Sequence, residues 1–207
     1  MAHPPRIALT LYFVRHGRTE MNRLGLLQGR GGHGLLPEGF EDAERTAAAL
    51  AGKKIDLLFS SDQQRAVETA RVIRSRLGLS RIRLSSALRE MDYGRMSGRR
   101  DQDVRRLCPL WRRDATFIFP GGESFLQVQG RAFRWLERLL RRHPRGTFGV
   151  VTHGGWLRTL FAGLKGVPLS RCLNGTVAHG LAGRLEVTPD RGLHLRMEPG
   201  VTIFPEA

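Results

Sequence analysis

Three β-forming runs in this chain break directly into clusters of polar residues and glycine, and that pattern constrains the fold more than any other feature. Ile7 to Val14 ends in Arg15-His16-Gly17, Ile55 to Phe59 ends in Ser60-Ser61-Asp62, and Thr147 to Thr152 ends in His153-Gly154-Gly155. Between the runs lie stretches of helical periodicity: Gly39 to Ala51 around Ala43, Ala47 and Leu50, and Gln64 to Leu77. A helix opening near Ser124 places Phe125, Val128, Ala132, Trp135, Leu136 and Leu139 on one face, and another covers Trp156 to Leu164. Short strands alternating with helices predict an α/β fold, a three-layer α/β/α sandwich around a mainly parallel sheet. Ile82 to Leu84 reads as a short further strand, and Gly180 to Val187 with Gly192 to Met197 as a closing hairpin. Ser97 to Gly122 is irregular apart from a short helix at Asp101 to Leu107, and the region of about 95–122 reads as a lid or insertion.

Composition narrows the function. With 207 residues and no linker, the chain is expected to be one domain over 1–207. Hydrophobic residues at 41% exclude a disordered chain, and no apolar run approaches the roughly 18 residues of a membrane span. The start holds too few apolar residues before Arg15 for a secretory signal, so a cytoplasmic location is expected. Cys108 and Cys172 make neither a disulfide framework nor a zinc motif. A net charge of +15 invites a nucleic-acid reading. Against it, lysine stands only at 53, 54 and 165, the arginines are scattered along the whole length, and aromatic residues are only 7%. No specific nucleic-acid partner is therefore expected.

Open α/β sheets place ligands beyond the carboxyl ends of their strands. Arg15-His16, Arg65 and His153 would converge there, and two guanidinium forks with two imidazoles suit a tetrahedral dianion. These residues resemble the histidine phosphatase superfamily, also called the phosphoglycerate mutase-like proteins. The likeness spans nearly the whole chain. It rests on Arg15-His16-Gly17 with Thr19 and Asn22, Ser60-Ser61-Asp62 with Arg65-Ala66 and Glu68-Thr69-Ala70, Leu88-Arg89-Glu90 with Gly94, Gly121-Gly122-Glu123-Ser124, and His153-Gly154-Gly155.

The resemblance implies a phosphohistidine mechanism with His16 as nucleophile. It also implies that Arg15, Arg65 and His153 hold the phosphoryl oxygens, that Asn22 and the Gly154 amide add donors, and that Glu90 serves as acid and base. Gln28, in Gln28-Gly29-Arg30, is placed to contact substrate. No metal or other cofactor is implied, a small phosphorylated metabolite is the expected partner, and dimers are common in the family. Departures from the family pattern touch specificity: Arg18, Met21 and Gln63 replace more usual residues, and Arg95, Arg99, Arg112 and Arg113 surround the lid. Thr19, where mutases usually have Ser, and the modest length favour a phosphatase over a phosphoglycerate mutase-type phosphoryl transfer. A non-catalytic phosphate- or nucleic-acid-binding protein is the third reading. His3, His33, His143, His179 and His194 show no partner spacing and read as surface or loop residues.

Overall fold

A computed structural model describes residues 7–202; His3 and the start of the chain over 1–6 lie outside the described residues. Six strands form the main sheet: β1 (Leu9–Arg15), β2 (Leu57–Ser60), β3 (Ile82–Leu84), β4 (Gly146–Thr152), β6 (Gly180–Val187) and β7 (Leu193–Met197). Their order is β3-β2-β4-β1-β6-β7. The first four run parallel, β6 lies antiparallel to β1, and β7 closes a hairpin with β6. A separate pair joins β5 (Thr176–Val177) to β8 (Val201–Thr202).

Alternation along β1 divides the core into two layers. Leu9, Leu11 and Phe13 point into one cluster with residues of α5 (Phe125–Arg142) and α6 (Gly154–Leu164). Tyr12 and Val14 point into the other, with residues of α2 (Pro37–Leu50) and α3 (Gln64–Arg76). Both faces of the central strand are therefore covered by helices, which is why it reads as a continuous apolar run rather than an alternating one. Phe13 lies with its ring edge-on to Phe161 at 5.5 Å and tilted to Trp156 at 6.2 Å. The fold is the expected sandwich, a mostly parallel sheet flanked by helices.

The local signals account for most boundaries. Ser124 caps α5 in a reciprocal box, accepting from the Gln127 N–H at 3.1 Å while the Gln127 side chain accepts from the Ser124 N–H at 2.9 Å. Pro37 opens α2, where a missing N–H costs nothing. Three differences from the sequence reading have physical causes. β1 runs on to Arg15, because its ladder with β4 persists to the pair Arg15 and Thr152. α6 begins at Gly154, two residues before the expected start, since His153 ends the strand as N-cap and the poor helix formers Gly154 and Gly155 are carried by their place in the fold. The short helix α1 (Glu20–Arg23) and the β5–β8 pair have too few residues to show any period.

The segment after β3 contains the short helix α4 (Asp101–Leu107), where the sequence places it, and its own aromatic cluster. Trp111 stacks on Phe125 at 6.2 Å and meets Tyr93 edge-on at 6.1 Å, so this segment is anchored to the α5 face of the core. No helix among the described residues is long and apolar enough to cross a membrane.

Candidate active site

Register brings the polar strand ends together. Arg15 pairs with Thr152 across β1 and β4, and Ser60 pairs with Val151 across β2 and β4, so the three strands end at one edge. The His16 N–H donates to the Thr152 carbonyl at 3.0 Å and the Ser61 N–H to the Val151 carbonyl at 2.9 Å, extending the ladder one step past each strand. His16 leaves β1, His153 leaves β4, and Arg65 sits in the first turn of α3. His16 and Arg65 line a cleft of about 200 Å³ together with Arg15, while His153 is fully buried beside His16 and is not part of the lining.

His16 is held in one tautomer. Its Nδ1 lies 2.8 Å from the Gly17 carbonyl, which can only accept, so the proton resides on Nδ1. Its Nε2 therefore carries the ring's one basic lone pair, which accepts from Arg65 Nε at 3.2 Å. Burial holds the imidazole well below its usual pKa, and the charges of Arg65 and Arg15 push in the same direction. It is therefore a neutral base at physiological pH. Gly17 must be glycine, because a Cβ there would stand 2.1 Å from the Gly39 carbonyl oxygen.

His153 faces His16 with ring centroids 5.0 Å apart, and it too is held neutral, first by burial and then by Arg65. Both of its ring nitrogens are buried without a hydrogen-bond partner, and so is Arg15 Nε. Unmade hydrogen bonds of buried groups cost about 1–3 kcal/mol each. The one N–H of the neutral His153 ring and Arg15 Nε are donors left open, the second on a residue that lines the cleft, and a ligand's oxygen atoms suit them. Three other guanidinium nitrogens are anchored: Arg15 Nη1 donates to the Val177 carbonyl, and Arg65 Nη1 and Nη2 donate to the carbonyls of Gly31 at 3.0 Å and Gly29 at 2.8 Å. Burial lowers the Arg65 guanidinium to about 10, still fully charged at neutral pH.

The lesser candidates also reach the cleft. Asn22 Oδ1 accepts from the Thr19 N–H at 3.2 Å, which turns its amide NH2 free of that cap. The Thr19 hydroxyl lies 3.0 Å from Asn22 Oδ1 and 2.9 Å from Gln28 Oε1, its one proton serving one acceptor at a time. Gln28 lines the cleft, and so does Gly154, whose N–H in the first turn of α6 has no partner within the helix. Glu90 contributes the carboxylate among the lining residues. Main-chain N–H groups hold both its oxygens, Met91 at 2.8 Å and Gly155 at 3.1 Å. The other acids near these motifs are engaged elsewhere: Glu20 with Arg23, Asp62 with Arg89, Asp92 with Arg30, and Glu123 with Arg131. No set of three or more His, Cys, Asp or Glu side chains is grouped as metal ligands among the described residues.

Three placements were not legible in the sequence. His179, read as a surface or loop residue, instead donates from Nδ1 to the His16 carbonyl at 2.7 Å, with its ring 5.6 Å from that of His16. Burial lowers its pKa to about 4. Arg158, on the otherwise apolar α6, donates to the carbonyls of Leu173 and Gly175 and lines the cleft with Arg112 and Tyr93. An arginine inside an apolar helix was its one signal. Arg18 turns away to chelate Asp42, with bonds of 2.8 and 3.1 Å, and Arg95, Arg99 and Arg113 stand outside the cleft wall.

Two measurable consequences follow from this geometry. A Cβ on Gly155 would meet Glu90 Oε1 at 2.5 Å, so Gly155→Ala should displace the carboxylate and lower kcat about tenfold. The displaced atom ends a flexible side chain, so Tm should fall by no more than a few degrees. An unchanged kcat would show that the position of Glu90 does not matter. The second consequence is acid lability. The folded pKa values of His16, His153 and His179 lie below the unfolded value near 6.5, so at lower pH the unfolded chain binds more protons. Their contribution to stability is complete above about pH 6.5 and is lost as pH falls toward the folded values. His179 alone, lowered to about 4, accounts for roughly 3 kcal/mol of that loss by pH 4. Calorimetric Tm should drop steadily between pH 6.5 and 4.5, and a flat or rising Tm over that range would contradict the buried neutral imidazoles.

A parallel α/β sheet with two neutral imidazoles and two buried guanidinium groups at its carboxyl edge defines a phosphate-handling class of protein. The chain belongs to the histidine phosphatase superfamily (branch 1), whose family profile matches residues 11–198. It is 32% identical over 181 residues to a 2,3-bisphosphoglycerate-dependent phosphoglycerate mutase of Parvibaculum lavamentivorans, an alignment covering 82% of this chain and 86% of that protein. Among solved structures it is similar to YhfR of Bacillus stearothermophilus, with TM-score 0.83 and 30% identity over 95% of this chain and 99% of that one. It is also similar to a mycobacterial glucosyl-3-phosphoglycerate phosphatase solved with VO3, with TM-score 0.79 and 27% identity over 91% and 97%.

Proposed function

We propose that the protein is a metal-independent phosphomonoesterase that works through a phosphohistidine on His16. The observation that carries this reading is the set of unpartnered buried atoms, His153 Nδ1 and Nε2 and Arg15 Nε, beside the deprotonated Nε2 of His16, whose lone pair is held by Arg65 Nε. A phosphoryl group in the cleft would satisfy donors that the protein leaves open. In the first step His16 Nε2 attacks phosphorus as the P–O ester bond breaks, and Glu90 supplies the proton to the departing alcohol oxygen. In the second, Glu90 takes a proton from water, the resulting hydroxide attacks phosphorus, and the P–N bond breaks to release phosphate. Arg15, Arg65 and His153 stabilise charge on the equatorial oxygens throughout, with Asn22 and the Gly154 N–H as further donors. His179 acts as a positioning residue through the His16 carbonyl.

The rest of the lining bears on the substrate. Arg112 and Arg158 add positive charge to the cleft beyond Arg15 and Arg65, which favours a small phosphorylated metabolite with a second anionic group. The relatives named for phosphoglycerate substrates act on compounds of that kind. Mutase-type transfer is the second reading, favoured by the curated relative named as a mutase. Length does not separate the two, because the alignment covers similar shares of both chains.

The deciding experiment is phosphate release from a panel of phosphomonoesters with EDTA present, alongside isomerisation of 3-phosphoglycerate. Release that persists in EDTA is the expected result. Isomerisation without net release would replace the phosphatase reading by the mutase, and neither activity would leave a binding protein.

A further inference from the structure

A second cavity of about 200 Å³ lies between α5 and the sheet edge made by β2 and β3. It shares no lining residue with the catalytic cleft. Its apolar floor consists of Phe59, Trp135 and Leu139, all buried, with Phe59 edge-on to Trp135 at 5.8 Å and to His143 at 6.0 Å. Its rim is cationic. Arg83 comes from β3, Arg138 and Arg142 come from successive turns of α5, and Ser85 adds a hydroxyl.

No acidic residue lines this cavity, and among the described residues no hydrogen bond or ion pair engages the three guanidinium groups. Glu137, the acid closest in sequence, is taken by Arg141 at 2.6 Å. The negative end of the α5 dipole accounts for Arg142 alone. Arg138 stands one turn earlier, where like charges four residues apart oppose the helix by a few tenths of a kcal/mol, and Arg83 belongs to a different layer. The potential they create is felt inside. His143 is held below its usual pKa by burial and then by Arg83 and Arg142.

We propose that this cavity is a second ligand site, for a small organic anion that joins at least two negative charges to an apolar or aromatic body. The guanidinium forks would bind the charged end, and the floor of Phe59, Trp135 and Leu139 would receive the rest. An occupant would also touch the strands that lead into the catalytic cleft, since Phe59 precedes Arg65 on β2–α3 and Ser85, whose N–H donates to the Ser60 carbonyl at 2.9 Å, precedes Glu90.

The test compares the wild-type chain with the triple variant Arg83→Gln, Arg138→Gln, Arg142→Gln, whose altered side chains are exposed. Both are titrated with phenylphosphonate, whose C–P bond resists hydrolysis, by calorimetry and by tryptophan fluorescence. Wild type should bind one more equivalent per chain than the variant, with a Trp135 signal that the variant lacks, while kcat on p-nitrophenyl phosphate stays within twofold. Equal stoichiometry in the two proteins would overturn the proposal. Inorganic phosphate should bind both proteins alike, and a phosphate site lost in the variant would overturn the role given to the apolar floor.

Discussion

His16→Ala should lower kcat for phosphate release by about 10⁵-fold, equivalent to about 7 kcal/mol of transition-state stabilisation. The imidazole supplies a deprotonated Nε2 from a fixed tautomer, and no neighbour is placed to substitute for it. His153, 5.0 Å away ring to ring, is the nearer of the two neighbouring imidazoles, but neither of its nitrogens has a partner to fix a tautomer or aim a lone pair. Binding should behave differently from catalysis. Arg15, Arg65 and His153 remain in the variant, so the Kd for inorganic phosphate should change by less than about tenfold. Free imidazole should fit the space left behind and restore part of the activity. A variant that retains more than a hundredth of wild-type kcat would remove His16 from the reaction.

Arg65→Gln should reduce kcat/KM by about 10³-fold, roughly 4 kcal/mol, the scale of losing one donor aimed at developing charge in a water-poor site. The guanidinium does three things that the amide cannot. It carries charge into the site despite burial that lowers it to about 10, it donates to His16 Nε2 at 3.2 Å, and it ties the Gly29 and Gly31 carbonyls to the cleft wall. A separate signature follows from electrostatics. Arg65 is the foremost charged neighbour holding the His16 pKa down, so its removal should let that pKa rise toward the ordinary value of 6.5. The acid limb of the pH profile of kcat/KM should then move to higher pH. A surface ion-pairing role would produce neither effect. An acid limb that stays in place, or moves lower, would show that Arg65 does not control His16.

The sheet edge explains why so much of the site was readable from the chain. Each strand end could be located by a local signal: a β-forming run, then polar residues, joined by glycine at the ends of the first and third runs, that a helix interior would not favour. Arg15, His16, Arg65 and His153 were identified because such ends meet along the carboxyl edge of a parallel sheet, and the shared register of Arg15 with Thr152 and Ser60 with Val151 is what aligns them. The α5 helix was legible for the same reason, since its capping residue and apolar face lie within one stretch of sequence.

Other parts depend on contacts that have no local period. His179 reaches the His16 carbonyl from 163 residues away, and the stretch around it is too short and irregular to announce a role. Arg158 looked like one charge in an apolar helix until the Leu173 and Gly175 carbonyls came to meet it. Arg18, two residues past His16, was drawn off by Asp42 on α2, a competition that only the packing of that helix decides. The sequence by itself determined the alternation of strands and helices, the residues at the strand ends and hence the chemistry offered to a ligand. Only the tertiary structure decided which cations face the cleft, which tautomer His16 holds and which buried atoms are left unpartnered, because those depend on what a side chain meets across the fold rather than on its neighbours along the chain.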